Sequence, residues 1–318
     1  MPSPNFINPF LNPIFVISIT RIAILFLSAF LVILILNRFQ WKKVFHSNLG
    51  KIYIGWVILA PIYIVGIFLG RIPGLFVIFG FMGFAIKEIT EISRLPKVYK
   101  FALLFLSFVS PILTSYFPNF FYSLPLLYFV VISLIAIMMN DSQRGFYHAA
   151  VSLFVAIWVI FGICHIILLS HLNNRIDSSR SLLLLIILAV SLSDIGAYIM
   201  GNTFRRLHLL DAYKIAPDIS PNKTYIGVIG HILGAGLGIA ILFFAIKHYL
   251  PLFQWVIIAI MIGVFAMIGG FTNSLFKRYY EVKDSNPLIP GHGGVLDRID
   301  SLMRVVVILY YYFSFALL

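Results

Sequence analysis

This sequence predicts an all-α, polytopic integral membrane protein with about ten transmembrane helices, on three observations. The first is composition: of 318 residues, 61% are hydrophobic and only 11% charged, against roughly 25% charged in an average soluble domain. Such a chain could not cover a water-facing surface, and its mean hydropathy of +1.01 points to lipid as the solvent. The second is that charge disappears in runs long enough to span a bilayer, which takes about 20 apolar residues. The third is the alternation of lysine and arginine between successive loops.

The runs lie near 14–36, 52–69, 72–86, 101–117, 121–139, 149–169, 181–200, 225–246, 252–275 and 302–318. The third to fifth are the weakest, since 72–86 is short and Pro73, Pro111 and Pro125 can end or kink a helix. The stretch before the first run has no Lys or Arg, which argues against a cleaved signal. Most of the 23 basic residues crowd into alternate loops, from Arg38–Lys51 through Lys87–Lys100, Arg144 and Arg205–Lys223 to Lys277–Arg298. The other loops hold Arg71, Arg175, Arg180 and Lys247. Basic residues mark the cytoplasmic side, so both termini are expected outside. The net charge of +12 is then a topology signal, which excludes the nucleic-acid partner that a basic chain would otherwise suggest. A single cysteine, Cys164, excludes an intrachain disulfide and a cysteine zinc cluster.

Composition shifts along the chain. Residues 1–180 read as nearly featureless hydrophobic helices, whereas 181–318 concentrate acidic, Gly, Pro and His residues and carry the polar loops 201–224 and 276–301. The densest constellation is SLFKRYYEVKDSNPLIPGHGGVLDRID, residues 274–300. Asp297 and Asp300, three apart at the start of the last helix, share one face. Paired carboxylates suit Mg²⁺, which takes one or two of them together with substrate phosphates and water. Gly291, Gly293 and Gly294 around His292 would let backbone approach a phosphate before a helix N-terminus. The plain alternative is a capped helix after an ordinary turn. Asp194, one to two turns inside the seventh helix, is costly in lipid unless functional or hydrogen-bonded to a serine of another helix. Ser220, Lys223 and Thr224 precede the eighth helix, where they could hold phosphate or act as an N-cap with a snorkelling lysine. Gly230, Gly234 and Gly238 form a small-residue stripe that permits close contact within the chain or in a homodimer.

The 274–300 string resembles the C-terminal signature of the phosphatidate cytidylyltransferase family, the integral-membrane CDP-diacylglycerol synthases. Ser274, Lys277, Arg278, Lys283, Asp284, Ile289, Pro290, His292, Gly293, Gly294, Asp297, Arg298 and Asp300 stand at the family spacings. Asp194, Ala197, Tyr198 and Gly201 are similar to its D-x-x-A-Y-x-x-G, and Ser220, Pro221, Lys223, Thr224 and Gly227 to its S-P-x-K-T-x-E-G. The resemblance covers about 190–318, and the first half matches only as hydrophobic helices.

It implies transfer of CMP from CTP to phosphatidate, with CDP-diacylglycerol and pyrophosphate as products, at the cytoplasmic face of the inner membrane. It also implies Mg²⁺ held by Asp297 with Asp300 or Asp284, and Asp194 in support. Lys277, Arg278, Lys223 and Arg298 would neutralise phosphates, and Ser220, Thr224, Lys283, His292, Gly293 and Gly294 would line the substrates. Three positions depart from the family. Gly270 stands where an aspartate is usual, Ile226 where a glutamate is, and His231 where a glycine is. They carry a second reading, a member that binds lipid or nucleotide as a regulator without turnover. A transporter would use Asp194 but leaves the 274–300 string without a purpose.

Overall fold

The computed structural model describes residues 5–11, 13–41, 46–172, 176–206, 214–245, 250–283 and 293–316. Among them, ten helices are long and apolar enough to cross a membrane. They are α1 (Pro13–Leu36), α2 (Asn48–Phe68), α3 (Arg71–Ile92), α4 (Lys97–Tyr116), α5 (Leu124–Met139), α6 (Gly145–Leu169), α7 (Ile176–Arg206), α8 (Tyr225–Leu242), α9 (Leu252–Tyr279) and α10 (Leu296–Ala316). The fold is all-helical, as composition and periodicity require of a chain whose backbone polar groups must be satisfied inside lipid.

Three limits differ from the sequence expectation, each because a helix carries its polar end past the apolar run. Helix α3 continues to Ile92, so Lys87, Glu88 and Glu91 are helical. Helix α7 has 31 residues and reaches Arg206. Helix α10 starts at Leu296, which brings Asp297 and Asp300 into its first turns. The prolines are accommodated: Pro111 lies inside α4, and Pro125 sits in the first turn of α5, where its missing N–H costs nothing.

Two apolar cores share α10. Its Val305, Val306, Leu309 and Phe313 pack with α1, α2, α7, α8 and α9, while its Leu296, Ile299 and Met303 pack with α3, α4, α5 and α6. The helix that carries Asp297 and Asp300 is thus clamped from both sides. The small-residue stripe is used within the chain. A methyl group at Gly230 would meet the Gly196 carbonyl at 2.6 Å, and one at Gly238 would meet the Ala189 Cα at 2.5 Å, so α7 and α8 touch backbone to backbone. Gly269 likewise abuts the Asp300 carbonyl and draws α9 against α10.

Candidate active site

The cluster is built where α9 ends and α10 begins. The close contact at Gly269 brings Asn273, one turn on, opposite the first turns of α10. Its Nδ2 donates to Asp297 Oδ1 at 2.7 Å and to Asp300 Oδ2 at 2.9 Å, so one amide group bridges the two carboxylates. One turn further, Lys277 Nζ donates to Asp297 Oδ1 at 2.6 Å, with both side chains mostly buried. Gly293 sits at φ 72°, a conformation that disfavours side chains, and a Cβ there would meet Asp297 Oδ2 at 2.8 Å. The glycine is therefore needed by the position of Asp297 itself.

The N-terminus of α10 departs from expectation. The Val295 and Leu296 N–H groups donate to the two oxygens of Glu88 on α3, at 2.7 and 2.9 Å. Glu88 is 3% exposed, so this end of the helix already holds a buried anion from the protein. The expected phosphate cradle on these backbone donors is thus corrected: α10 presents its side chains there, and its first N–H groups serve Glu88.

Helix α7 closes the cluster from the other side. The Ser301 hydroxyl lies 3.2 Å from Asp194 Oδ1 and 3.4 Å from Asp300 Oδ1, and donates to one of them at a time. The Ser301 N–H donates to Asp300 Oδ1 at 2.6 Å. Asp194 thus makes the serine bond to another helix that the plain reading expects, and through it joins Asp300. His231 is drawn in as well, its Nδ1 2.9 Å from Ser193 Oγ and 3.7 Å from Asp194 Oδ1. Asp297, Asn273, Asp300, Ser301 and Asp194 form one chain in which a neutral group separates each pair of carboxylates.

Lys223 faces this chain from the loop before α8. Its ammonium lies 4.3 Å over the Phe271 ring and 3.5 Å from the Met267 carbonyl. A Cβ on Gly270 would stand 2.5 Å from that nitrogen, so the space a side chain at position 270 would claim is occupied by the Lys223 ammonium. Burial lowers the Lys223 pKa from the usual lysine range, Asp300 and Asp194 oppose that shift, and Lys277 adds to it.

The remaining predicted residues divide. Thr224 is the N-cap of α8, its hydroxyl accepting from the Gly227 N–H at 3.2 Å, which is the plain reading. Ser220 lies in the preceding turn, where its carbonyl accepts from the Lys223 N–H. Arg278 is exposed at the end of α9 and its Nε donates to the Ile219 carbonyl at 3.4 Å, tying that loop to the cluster. Arg298 follows Asp297 in the first turn of α10 and is partly buried, Gly294 donates its N–H to Asp297 Oδ2 at 3.4 Å, and Lys283 is exposed. Asp284 and His292 lie outside the described residues. The sequence reading missed Glu88, Asn273 and Ser301. It noted His231 only as a departure, although a histidine on a helix that approaches Asp194 was a signal.

Among the described residues no group of three or more His, Cys, Asp or Glu side chains is arranged to hold a metal ion. The donor chemistry nevertheless fits Mg²⁺, which needs only one or two carboxylates from the protein. Asp297 and Asp300 converge on one point, and Asn273 Oδ1 is buried with no partner among the described residues. Rotating that amide by half a turn would add a third oxygen to the pair.

The pattern of the cytidylyltransferase family matches residues 51–316, a longer stretch than the motifs themselves cover. The phosphatidate cytidylyltransferase of Staphylococcus haemolyticus is 38% identical over 122 residues, 38% of this chain and 45% of the relative. That of Rickettsia bellii is 33% identical over 191 residues, 58% of this chain and 79% of the relative. The uncharacterized protein YnbB of Escherichia coli is 30% identical over 194 residues, 60% of this chain and 62% of the relative. The chain spans less than half the length of the first of these. A family pattern that runs through nine of the ten helices and both halves of the carboxylate cluster shows that this multi-helix chain belongs to the cytidylyltransferase family.

Proposed function

We propose that the protein transfers CMP from CTP to phosphatidate, giving CDP-diacylglycerol and pyrophosphate, at the cytoplasmic face of the cell membrane. The observation that carries this reading is the Lys277–Asp297 pair beside the Asn273-bridged carboxylates, with Lys223 facing them. Here cations for phosphate and oxygens for a divalent ion meet at a membrane surface. An ionised oxygen of phosphatidate would attack the α-phosphorus of CTP, and the bond to the β-phosphate oxygen would break with its electron pair leaving on pyrophosphate. No proton need move, so the protein's contribution is alignment and charge neutralisation. Lys223 and Lys277 would neutralise phosphate oxygens from inside the cluster, and Arg278 and Arg298 from its rim. Asp297 and Asp300, with Asn273 Oδ1, would hold Mg²⁺, whose charge would offset the triphosphate. Asp284, His292 and Lys283 belong to the same reading as parts of the covering loop. So does the division at residue 180 into a scaffold and a chemical half.

The test is a CTP- and Mg²⁺-dependent conversion of phosphatidate by the purified protein, with CDP-diacylglycerol and pyrophosphate expected in equal amounts. Gly270 favours the second reading, a silent binder. Retention of nucleotide or lipid with no pyrophosphate released would establish that reading in place of the first. Sidedness is tested by single cysteines. One replacing Asn222 should react with an impermeant thiol reagent from the cytoplasmic side, and one replacing Asn119 from the other. Native Cys164 is buried and should stay silent. Labelling of both from one side would refute the orientation.

A further inference from the structure

Helix α3 begins at Arg71 and reaches Glu88 beside the carboxylate cluster. At 1.5 Å per residue this places Arg71 roughly 25 Å from the cluster, close to the ~30 Å thickness of a bilayer's hydrocarbon core. At this far end Arg71 and Arg180 are buried, 9% and 6% exposed. They line a cavity of about 550 Å³ together with Ser115, Ser170 and His171. An adjoining cavity of about 530 Å³ shares Gly66, Ile67, Gly74, Ile78, Ile166 and Leu183 with it. That second cavity is lined by apolar side chains, with Tyr63 the exception, and runs between helices as far as Ile299 and Met303. One end is cationic and the rest is greasy, which is the profile of an amphiphile.

The charge balance decides the sign of the guest. Of the 11 acidic residues, only Asp177 belongs to this face, against Arg71, Arg175, Arg180 and Lys247. Even with Asp177 engaged by one guanidinium, the end stays positive, and no Asp or Glu is among the residues that line either cavity. His171 adds an acceptor. Its Nδ1 lies 2.6 Å from the Ile167 carbonyl and must carry the proton, while its Nε2 is buried with no partner among the described residues. Burial holds this imidazole towards its neutral form, the bond to the Ile167 carbonyl opposes that, and the Arg71 charge reinforces it.

We propose that this cavity binds an anionic glycerophospholipid of the leaflet opposite the carboxylate cluster. Its phosphate lies between Arg71 and Arg180, a headgroup hydroxyl donates to His171 Nε2, and one acyl chain fills the apolar extension. Bidentate guanidinium contacts suit a phosphate, and an enclosed apolar arm suits a chain. The site is separate from the one assigned to CTP and phosphatidate, and its test does not read turnover.

The purified full chain, in phosphatidylcholine nanodiscs doped with phosphatidylglycerol, is examined by native mass spectrometry for retained lipid. Wild type is expected to keep one phosphatidylglycerol per chain in preference to phosphatidylcholine. Arg180→Gln is expected to weaken retention at least tenfold, Arg180→Lys less, and Lys277→Gln not at all. Ile166→Trp, which fills the apolar arm and leaves the cations in place, should also release the lipid, and excess inorganic phosphate should not. Equal retention by wild type, Arg180→Gln and Ile166→Trp would overturn the proposal. So would displacement by inorganic phosphate, which would mean a site for the free ion, or loss in Lys277→Gln alone, which would place the lipid at the other end. If Arg180→Gln does not fold, the Ile166→Trp and phosphate arms still decide.

Discussion

The two ends of this bundle handle charge in opposite ways. At one, three aspartates, two lysines and a histidine converge, and each carboxylate is bridged to the next by a neutral amide or hydroxyl. At the other, two buried arginines and an imidazole face a cavity whose lining includes no acid. The first end compensates its own charge, so it suits a guest that brings both signs, a nucleotide with its metal. The second is one-signed and suits a lone anion. The contrast teaches that burial of charge in a membrane protein is informative only together with its partners.

Removing one charge from the balanced end should have the largest effect. Asp297→Asn keeps volume but weakens the hold on Lys277 and on a divalent ion. We expect turnover to fall by about a thousandfold, several kcal/mol of charge stabilisation, with the protein still folded. A CTP conversion assay beside a thermal unfolding scan checks both halves, and near-normal turnover would remove Asp297 from the site.

Next in size is Glu88→Ala, which strands two buried N–H groups at the start of α10. Each unmet donor costs about 1–3 kcal/mol, and the helix also loses its anion. A drop of roughly 3 kcal/mol in stability is expected, with a lower melting temperature in detergent. Unchanged melting would mean that water replaces Glu88 and that the anchor is weaker than its geometry implies.

Asn273→Leu removes the bridge without removing a charge. Asp297 and Asp300 then face each other unscreened, and a loss of about 1–3 kcal/mol is expected, recovered in part by millimolar Mg²⁺. Recovery read as a Mg²⁺-dependent rise in melting temperature would sharpen the comparison, because it would show that this end waits for a cation. An equal rise in wild type would break it.

The smallest effect is expected from Gly270→Asp. The new carboxylate must push aside the flexible end of Lys223, at little cost, and adds an acid to the cluster. We expect Mn²⁺ affinity to rise within about tenfold, or 1.4 kcal/mol. Unaltered affinity in a stable variant would mean that the carboxylate is spent on Lys223.

Much of this was legible in advance, and the failures share a cause. The ten spans follow from hydropathy, and the 274–300 string gave Lys277, Asp297 and Asp300, which do meet. The three residues that organise them gave no local signal. Asn273 is one polar residue in an apolar helix, Ser301 follows an aspartate that drew attention from it, and Glu88 was read as part of a loop because the third apolar run looked short. The glycines of α10's approach were read as serving a phosphate, whereas Gly293 serves Asp297.

By itself the sequence determined that the chain is helical, that it crosses the membrane about ten times, and which loops share a side. Hydropathy and charge placement sum along the chain and can be read locally. Only the tertiary structure decided which partner each buried charge has. Glu88 and Val295 are 207 residues apart, and their meeting depends on how α3, α9 and α10 pack against one another. Glycine contacts such as Gly269 on Asp300 fix that packing to within an ångström or two, and no periodicity records which helices will touch there.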